Sequence, residues 1–118
     1  MTQEPYEMDE SRRRSVLASI RQHCEYRHWP LLAAHVRTNH VHVILEALDP
    51  PEKTLNELKA YASRHLNQMG FDGPDRRRWS RHGSTRYLWK RDDVEAAVAY
   101  VADHQGEPMG LYVNEHLW

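Results

Sequence analysis

The chain has 118 residues, of which 40% are hydrophobic, and this size and composition suit one globular domain. Its net charge of −1 argues against a uniformly basic nucleic-acid binder, and no run approaches the roughly 20 apolar residues of a membrane span. Cys24 is the one cysteine, which excludes an internal disulfide and a cysteine-based zinc cluster. We expect a single domain over residues 1–118, with its core at 8–106 and a carboxyl-terminal tail at 107–118, in a reducing cytoplasm.

The first half of the chain predicts a helix and then a hairpin. Apolar residues at near-helical spacing predict a helix over residues 10–27, capped by Asp9 or Ser11. Residues 31–37 and 40–46 are predicted strands, joined by a tight turn at Thr38-Asn39. The twin prolines Pro50-Pro51 end this unit.

The second half predicts two further helices around one short strand. Thr54 and Glu57 form a capping box for a helix that runs to about Met69. A loop over residues 70–84 leads to a strand at 85–90, and the last helix is predicted at about 93–104. A strand before the first helix would complete a split βαββαβ sheet, of the ferredoxin-like kind. Residues 1–8 are short for that strand, so the α+β fold is expected with its first strand short or missing.

Two histidines separated by one residue, His40 and His42, lie in the second predicted strand. Side chains two apart on a strand point to the same face, so both imidazoles can reach one Mg²⁺, Mn²⁺ or Zn²⁺ ion. Such an ion supplies a Lewis acid for phosphate chemistry. The alternative is a solvated strand face that carries histidines without a metal.

Tyr100 is the candidate nucleophile on the last predicted helix. It lies at the border of the apolar face, and His104 follows one turn later on the same flank. His104 is therefore a candidate third metal ligand, and Gln105 is its competitor. Tyr61 on the middle helix, with His65 one turn away, is the rival nucleophile.

Residues 76–91 combine seven positive charges with three aromatic residues and contain no acid before position 92. Arginine pairs with phosphate and aromatic rings stack on bases, so this segment predicts single-strand DNA contact. The alternative is a solvated basic loop whose tryptophans belong to the core. The predicted DNA-binding residues are Arg76, Arg77, Arg78, Trp79, Arg81, Arg86, Tyr87, Trp89, Lys90 and Arg91.

Over residues 8–110 the chain resembles the single-tyrosine HUH transposases of insertion sequences of the IS200-like type, and most of all their repeat-associated relatives. The resemblance rests on Asn39-His40-Val41-His42, the helix at 58–64, Trp89-Lys90 and Tyr100-Val101, in that order. It implies a ferredoxin-like sheet with helices on one face and Mg²⁺ or Mn²⁺ on His40 and His42. It also implies a homodimer that cuts single-stranded DNA at hairpins, as in DNA transposition and recombination.

The resemblance implies that Tyr100 attacks the scissile phosphate and leaves a 5′-phosphotyrosine link and a free 3′-hydroxyl. The family's third ligand, often glutamine, follows one turn after the tyrosine, where this chain has His104 with Gln105 beside it. Two other hypotheses remain. One is a repurposed protein that binds DNA or RNA hairpins without cutting them, and the other is an unrelated α+β domain.

Overall fold

Three helices and three strands make up the described part of this α+β chain. The computed structural model describes residues 3–79, 91–103 and 109–114. In chain order the elements are α1 (Glu10–Arg27), β1 (Leu31–Val36), β2 (Val41–Leu45), α2 (Pro51–Gln68), α3 (Arg91–Asp103) and β3 (Gly110–Val113). No strand precedes α1 within residues 3–9, and the strand predicted at 85–90 lies outside the described residues. None of the described helices is long and apolar enough to cross a membrane.

The three described strands form one antiparallel sheet in the order β2-β1-β3. The predicted hairpin is confirmed, because Val36 pairs with Val41 and the Arg37 amide donates to the His40 carbonyl at 2.8 Å. A register shift between Leu31 and Ala33 interrupts the β1–β2 ladder. The four-stranded split arrangement is therefore not what the described residues form.

The carboxyl-terminal segment differs from its prediction as a tail. Residues 110–113 form β3, which pairs with β1 from Ala33 to Val36. Gly110 permits this close approach, because a Cβ there would lie 3.3 Å from both Val36 Cβ and the Val36 carbonyl oxygen. No strand was predicted in this tail, since a four-residue strand has too little periodicity to stand out in sequence.

Helices α1 and α2 cover one face of the sheet. They run antiparallel, because Arg27 at the end of α1 meets Glu57 near the start of α2, whereas Arg12 meets Asp72 beyond its end. Their apolar stripes share a core with one face of the sheet. The buried members are Met8, Val16, Ile20, Cys24, Trp29, Leu31, Ala34, Val36, Leu58, Ala62 and Leu66.

Helix α3 covers the opposite face, so the expectation of helices on one face was wrong. Val98 and Val101 of α3 are buried against Leu32 and Ala33 of β1, in a second, separate cluster. The reason lies in the alternation along β1 and β2: Ala34, Val36 and Val43 point to the first cluster, whereas Ala33 and Ile44 point to α3.

The start of α2 also differs from its prediction. The helix begins at Pro51, with Pro50 at its cap position, four residues before the expected cap at Thr54. Proline suits the first helical position because its φ is already helical and its missing N–H has no intrahelical partner there. Thr54 consequently lies within the helix, with its side chain buried in the protein, instead of at the cap position. Glu57 contacts Arg27 of α1.

Candidate metal and nucleophile site

His40 and His42 lie side by side at the hairpin end of the sheet. Their rings are nearly parallel, with an interplanar angle of 4° and centroids 6.2 Å apart. Asn39 Oδ1 lies 2.6 Å from His40 Nδ1, and an amide oxygen can only accept, so this ring nitrogen donates. His40 Nε2 then carries the lone pair, which is the state in which histidine binds metals. The two rings are therefore neighbours, as the sequence predicts, and His40 and His42 stay the candidate metal ligands.

Cross-strand pairing adds a third histidine to this region. His35 of β1 pairs with His42 of β2, so the two side chains leave the same face of the sheet as neighbours. A two-residue turn at Thr38-Asn39 already implies this pairing by counting outward from the turn. The sequence interpretation missed His35, although counting strand positions outward from the turn would have identified it.

His35 is wholly buried, and both of its ring nitrogens have partners. Nε2 accepts from the Met109 amide at 3.0 Å, so Nδ1 carries the proton and donates to the Val101 carbonyl oxygen at 3.2 Å. Burial lowers the pKa of His35 below its ordinary value, and the charge of Arg37 acts in the same direction. The neutral ring thus joins β1 to the end of α3 and to the residue before β3.

The contact between His35 and Val101 positions α3, the helix that bears Tyr100. Tyr100 directly precedes Val101 on α3, and its side chain is 55% exposed, whereas Val98 and Val101 are buried against the sheet. α3 therefore lies on the sheet face that carries His35 and His42, with Tyr100 on its accessible border. This agrees with the position predicted for Tyr100 at the edge of the apolar face.

The two candidates for a third metal ligand, His104 and Gln105, fall outside the described residues. Within the described ranges no group of three or more histidine, cysteine, aspartate or glutamate side chains is arranged to hold a metal ion. Of the predicted metal ligands, the described residues include the His40–His42 pair.

The rival nucleophile Tyr61 is on the other side of the sheet. Its ring stacks on His23 of α1 with centroids 4.1 Å apart. Both helices pack on the face opposite α3, so the sheet separates Tyr61 from His42. Of the two candidate tyrosines, Tyr100 is the one on the histidine face.

Arg78 is part of the core and is removed from the predicted DNA-binding set. Its side chain is only 1% exposed. The guanidinium donates to Asn67 Oδ1 and the Phe71 carbonyl, both at 2.8 Å, and its Nε lies 3.6 Å from Asp72. A phosphate cannot reach a side chain enclosed in this way, and the two terminal nitrogens of its guanidinium already donate to groups around the end of α2.

Trp79 is likewise used inside the protein. Its indole N–H lies 2.7 Å from Ser63 Oγ and 3.0 Å from the Lys59 carbonyl, and its ring meets Tyr6 edge to face. Trp79 is half-buried against the core cluster, which favours the alternative of a tryptophan that belongs to the core over a DNA-stacking residue. The indole needs a buried hydrogen-bond partner, and α2 supplies two.

Arg76 binds the amino-terminal segment. Its guanidinium donates to Gln3 Oε1 at 2.8 Å and to the Glu4 carbonyl at 2.6 Å. Arg77 is exposed, and Arg91 at the start of α3 lies 3.2 Å from Glu95. The remaining predicted DNA-binding residues lie outside the described residues: Arg81, Arg86, Tyr87, Trp89 and Lys90.

Cys24 has no place in this chemistry. It is buried in the cluster between α1 and the sheet, and burial raises the pKa of its thiol to about 11. A thiol in this state is a poor nucleophile and a poor metal ligand, because both roles need the thiolate.

Searches of protein-family models, of curated proteins and of solved structures found no match to this chain.

Proposed function

We propose that this protein is a metal-dependent endonuclease and strand transferase for single-stranded DNA, with Tyr100 as nucleophile. One observation carries the proposal: the helix that bears Tyr100 packs on the sheet face that bears His42, and His35 joins the two. A pair of metal-binding histidines and an accessible tyrosine on one face of the sheet are the parts that covalent phosphate transfer requires. The resemblance to the single-tyrosine HUH transposases supports the same function.

In the proposed reaction the Tyr100 oxygen bonds to the scissile phosphorus while the bond to the preceding 3′-oxygen breaks. The tyrosine loses its proton to solvent and the 3′-oxygen takes one up, leaving a 5′-phosphotyrosine and a free 3′-hydroxyl. His40 and His42, with His104 or Gln105 as third ligand, would hold Mg²⁺ or Mn²⁺. The bound ion would neutralise charge on the phosphate oxygens during the displacement. Rejoining reverses the same step with a different 3′-hydroxyl.

The proposed substrate is a single-stranded DNA hairpin, and its proposed contact surface is the basic segment without its buried members. Removing Arg78, Trp79 and the engaged Arg76 leaves Arg77, Arg81, Arg86, Tyr87, Trp89, Lys90 and Arg91. Guanidinium groups favour phosphate and aromatic rings favour unstacked bases, which supports single strands over duplex. The protein is proposed to work in the cytoplasm.

A homodimer is proposed as the working form. β2 and β3 are the outer strands of the described sheet, and an open strand edge presents unpaired N–H and C=O groups to a second chain. Mixed dimers of Tyr100→Phe and His42→Ala chains should regain cutting only if the Tyr100 of one subunit serves the histidine pair of its partner.

The test is a search for the covalent adduct. Hairpin oligonucleotides from the DNA flanking the gene, labelled at either end, are incubated with protein and Mn²⁺ or EDTA and separated on a denaturing gel. We expect a slow band only with Mn²⁺ and only with the strand fragment that lies 3′ of the cut, since the tyrosine keeps the 5′-phosphate. The band should disappear in Tyr100→Phe and persist in Tyr61→Phe.

The control variants also separate the alternatives. Cutting that survives Tyr100→Phe would contradict the nucleophile assignment. Hairpin binding in a native gel without any adduct would favour the second candidate, a repurposed DNA- or RNA-hairpin-binding protein. That candidate draws on the absence of a strand within residues 3–9, where the family has its first strand. No binding and no Mn²⁺-dependent rise in melting temperature would favour an unrelated domain.

A further inference from the structure

A polar cleft lies between α1 and α2, on the helical side of the molecule and away from His42. Its volume is about 350 Å³. The two helices contribute residues at the same helical spacing of i, i+3, i+4 and i+7, so that one stripe faces the other. The lining residues are Ser19, Gln22, His23 and Tyr26 on α1, and Tyr61, Arg64, His65 and Gln68 on α2.

These stripes are unusual because two packed helices normally meet through apolar residues. Here the apolar positions of both helices point to the sheet, and the neighbouring stripes carry amides, imidazoles, tyrosines and one guanidinium. None of the lining residues is an acid. Glu57 is the carboxylate beside the cleft: its Oε2 lies 3.0 Å from His23 Nε2, and Arg27 donates to the same carboxylate through two hydrogen bonds of 2.8 and 3.0 Å. Arg27 thus neutralises Glu57 outside the lining, and Arg64 is the lining residue that is always positively charged.

Aromatic rings form one wall of the cleft. His23 is buried and stacks on Tyr61, with an interplanar angle of 24°. Tyr26 lies 6.0 Å from His23 but is 75% exposed, so most of its ring is accessible from solvent. An exposed ring beside a buried stack can extend that stack by one flat group.

The charged group of the cleft lies next to these rings. The Arg64 guanidinium carbon is 4.8 Å from the centroid of the Tyr61 ring. This places a phosphate-binding group close to a stacking surface, an arrangement typical of single-strand nucleic-acid sites. Gln22 and Gln68 add amide groups that can donate to and accept from the edge of a base.

We propose that this cleft binds one unstacked nucleotide of single-stranded DNA, with the base on Tyr26 and the phosphate at Arg64. The inference rests on the proposed function for the kind of polymer, and it adds a contact on the side of the sheet opposite to His42. The volume lies within the range of about 300–1,000 Å³ that is usual for small-ligand clefts. A partner helix would need an apolar groove, which these polar stripes do not provide.

The experiment measures binding without cutting. Fluorescein-labelled DNA hairpins with a single-stranded tail are titrated with protein in EDTA, and fluorescence anisotropy gives the dissociation constant. Tyr26→Ala should weaken binding at least about fivefold, because stacking of a base on an aromatic ring contributes that much or more. Tyr26→Phe keeps the ring and should bind as the unsubstituted protein does.

A charge-matched pair of variants tests the guanidinium. Arg64→Gln and Arg14→Gln each remove one positive charge from an exposed arginine, and Arg14 forms a surface ion pair of 2.9 Å with Glu10, outside the cleft. Arg64→Gln should weaken binding and lower its dependence on salt concentration, whereas Arg14→Gln should have a much smaller effect. Thermal unfolding checks that each variant remains folded.

The outcomes separate this inference from the proposed function. Unchanged affinity in Tyr26→Ala, equal effects of Arg64→Gln and Arg14→Gln, or no DNA binding by the unsubstituted protein would each overturn the cleft assignment. Tyr26-dependent binding without a Tyr100 adduct would support the cleft and contradict the nuclease. An adduct with no effect of Tyr26→Ala would do the reverse.

Discussion

The two faces of the sheet differ in how much apolar packing covers them. In the described residues, eleven buried side chains form the cluster with α1 and α2, whereas four form the cluster under α3. The α1/α2 face also has ion pairs that join its segments, such as Arg27–Glu57 and Arg12–Asp72. Among the described residues, the α1/α2 face therefore carries most of the apolar packing, and the α3 face carries much less.

The difference explains why the candidate chemistry can lie under α3. A metal-binding histidine pair and a nucleophile must stay accessible to a DNA strand, and a deeply packed face does not permit this access. On the α3 face, buried hydrogen bonds of His35 add to the small apolar cluster. Because hydrogen bonds are directional, the bond to Val101 sets the orientation of α3 as well as its position. Because the α1/α2 face supplies most of the apolar packing in the described residues, the α3 face can fold with less of it.

The largest expected effect comes from Arg78, which belongs to the α1/α2 face. Arg78→Ala should lower the free energy of unfolding by about 3–5 kcal/mol, because it leaves the buried acceptors Asn67 Oδ1 and the Phe71 carbonyl without their donor and empties the space of a buried side chain. Arg77→Ala, one residue earlier and exposed, should change it by less than about 0.5 kcal/mol. Urea unfolding of both variants measures this difference. Similar losses in the two variants would show that Arg78 is not part of the core.

The asymmetry of the two clusters can be tested with one truncation on each side. Leu66 is fully buried between α2 and α1, and Leu66→Ala should cost about 2–5 kcal/mol. Val101→Ala under α3 removes two methyl groups and should cost about 1–2 kcal/mol. Denaturant unfolding gives both values. A Val101 variant as damaging as the Leu66 variant would contradict the comparison.

A smaller and more local effect is expected at His35. His35→Leu leaves the Met109 amide and the Val101 carbonyl without their partner, at a cost of about 1–3 kcal/mol. Amide hydrogen exchange should accelerate in α3 and β3 and stay unchanged in α2. His35→Gln is the control, because its side chain can still donate and accept. Uniform acceleration across all helices would contradict a role of His35 confined to the α3 face.

The smallest effect concerns acid pH and the α1/α2 face. Burial opposes ionisation of Asp72, but hydrogen bonds from Arg12 and Tyr6 and the nearby arginine charges bring its pKa below the ordinary 3.8. A depressed carboxyl pKa contributes stability above 3.8, and this contribution is lost as the pH falls below that value. The unsubstituted protein should therefore lose more stability below pH 3.8 than Asp72→Asn does. Chemical unfolding at several pH values measures this, and parallel curves would contradict it.

Local patterns predicted most of the elements and misjudged those that depend on distant contacts. The periodicity of α1 and the turn at Thr38-Asn39 specify a helix and a hairpin from neighbours alone, and both are confirmed. Thr54 and Glu57 match a capping box, yet Pro51 starts the helix earlier because its ring favours the first helical position. β3 was missed because its pairing partner is β1, far away in the chain.

The candidate site shows the same division. His40 and His42 are two apart, so strand geometry alone predicts that they share a face, and the structure has them side by side. Arg77 and Arg78 are identical in type and adjacent, but only the second lies beside Asn67 and Phe71. Nothing local distinguishes them, because burial depends on where the loop after α2 packs. The same applies to Trp79.

The pairing of β3 with β1 has a consequence for the order of folding during synthesis. His35 receives its hydrogen bond from a residue 74 positions later. The β1–β2 hairpin can close in about 1–10 μs, whereas β3 leaves the ribosome several seconds after β1 at about 5–20 residues per second. Through that interval β1 keeps one edge open to any other nascent strand. The face proposed to act on DNA is thus the last to form. A chain whose synthesis stalls before β3 would leave this face incomplete and exposed.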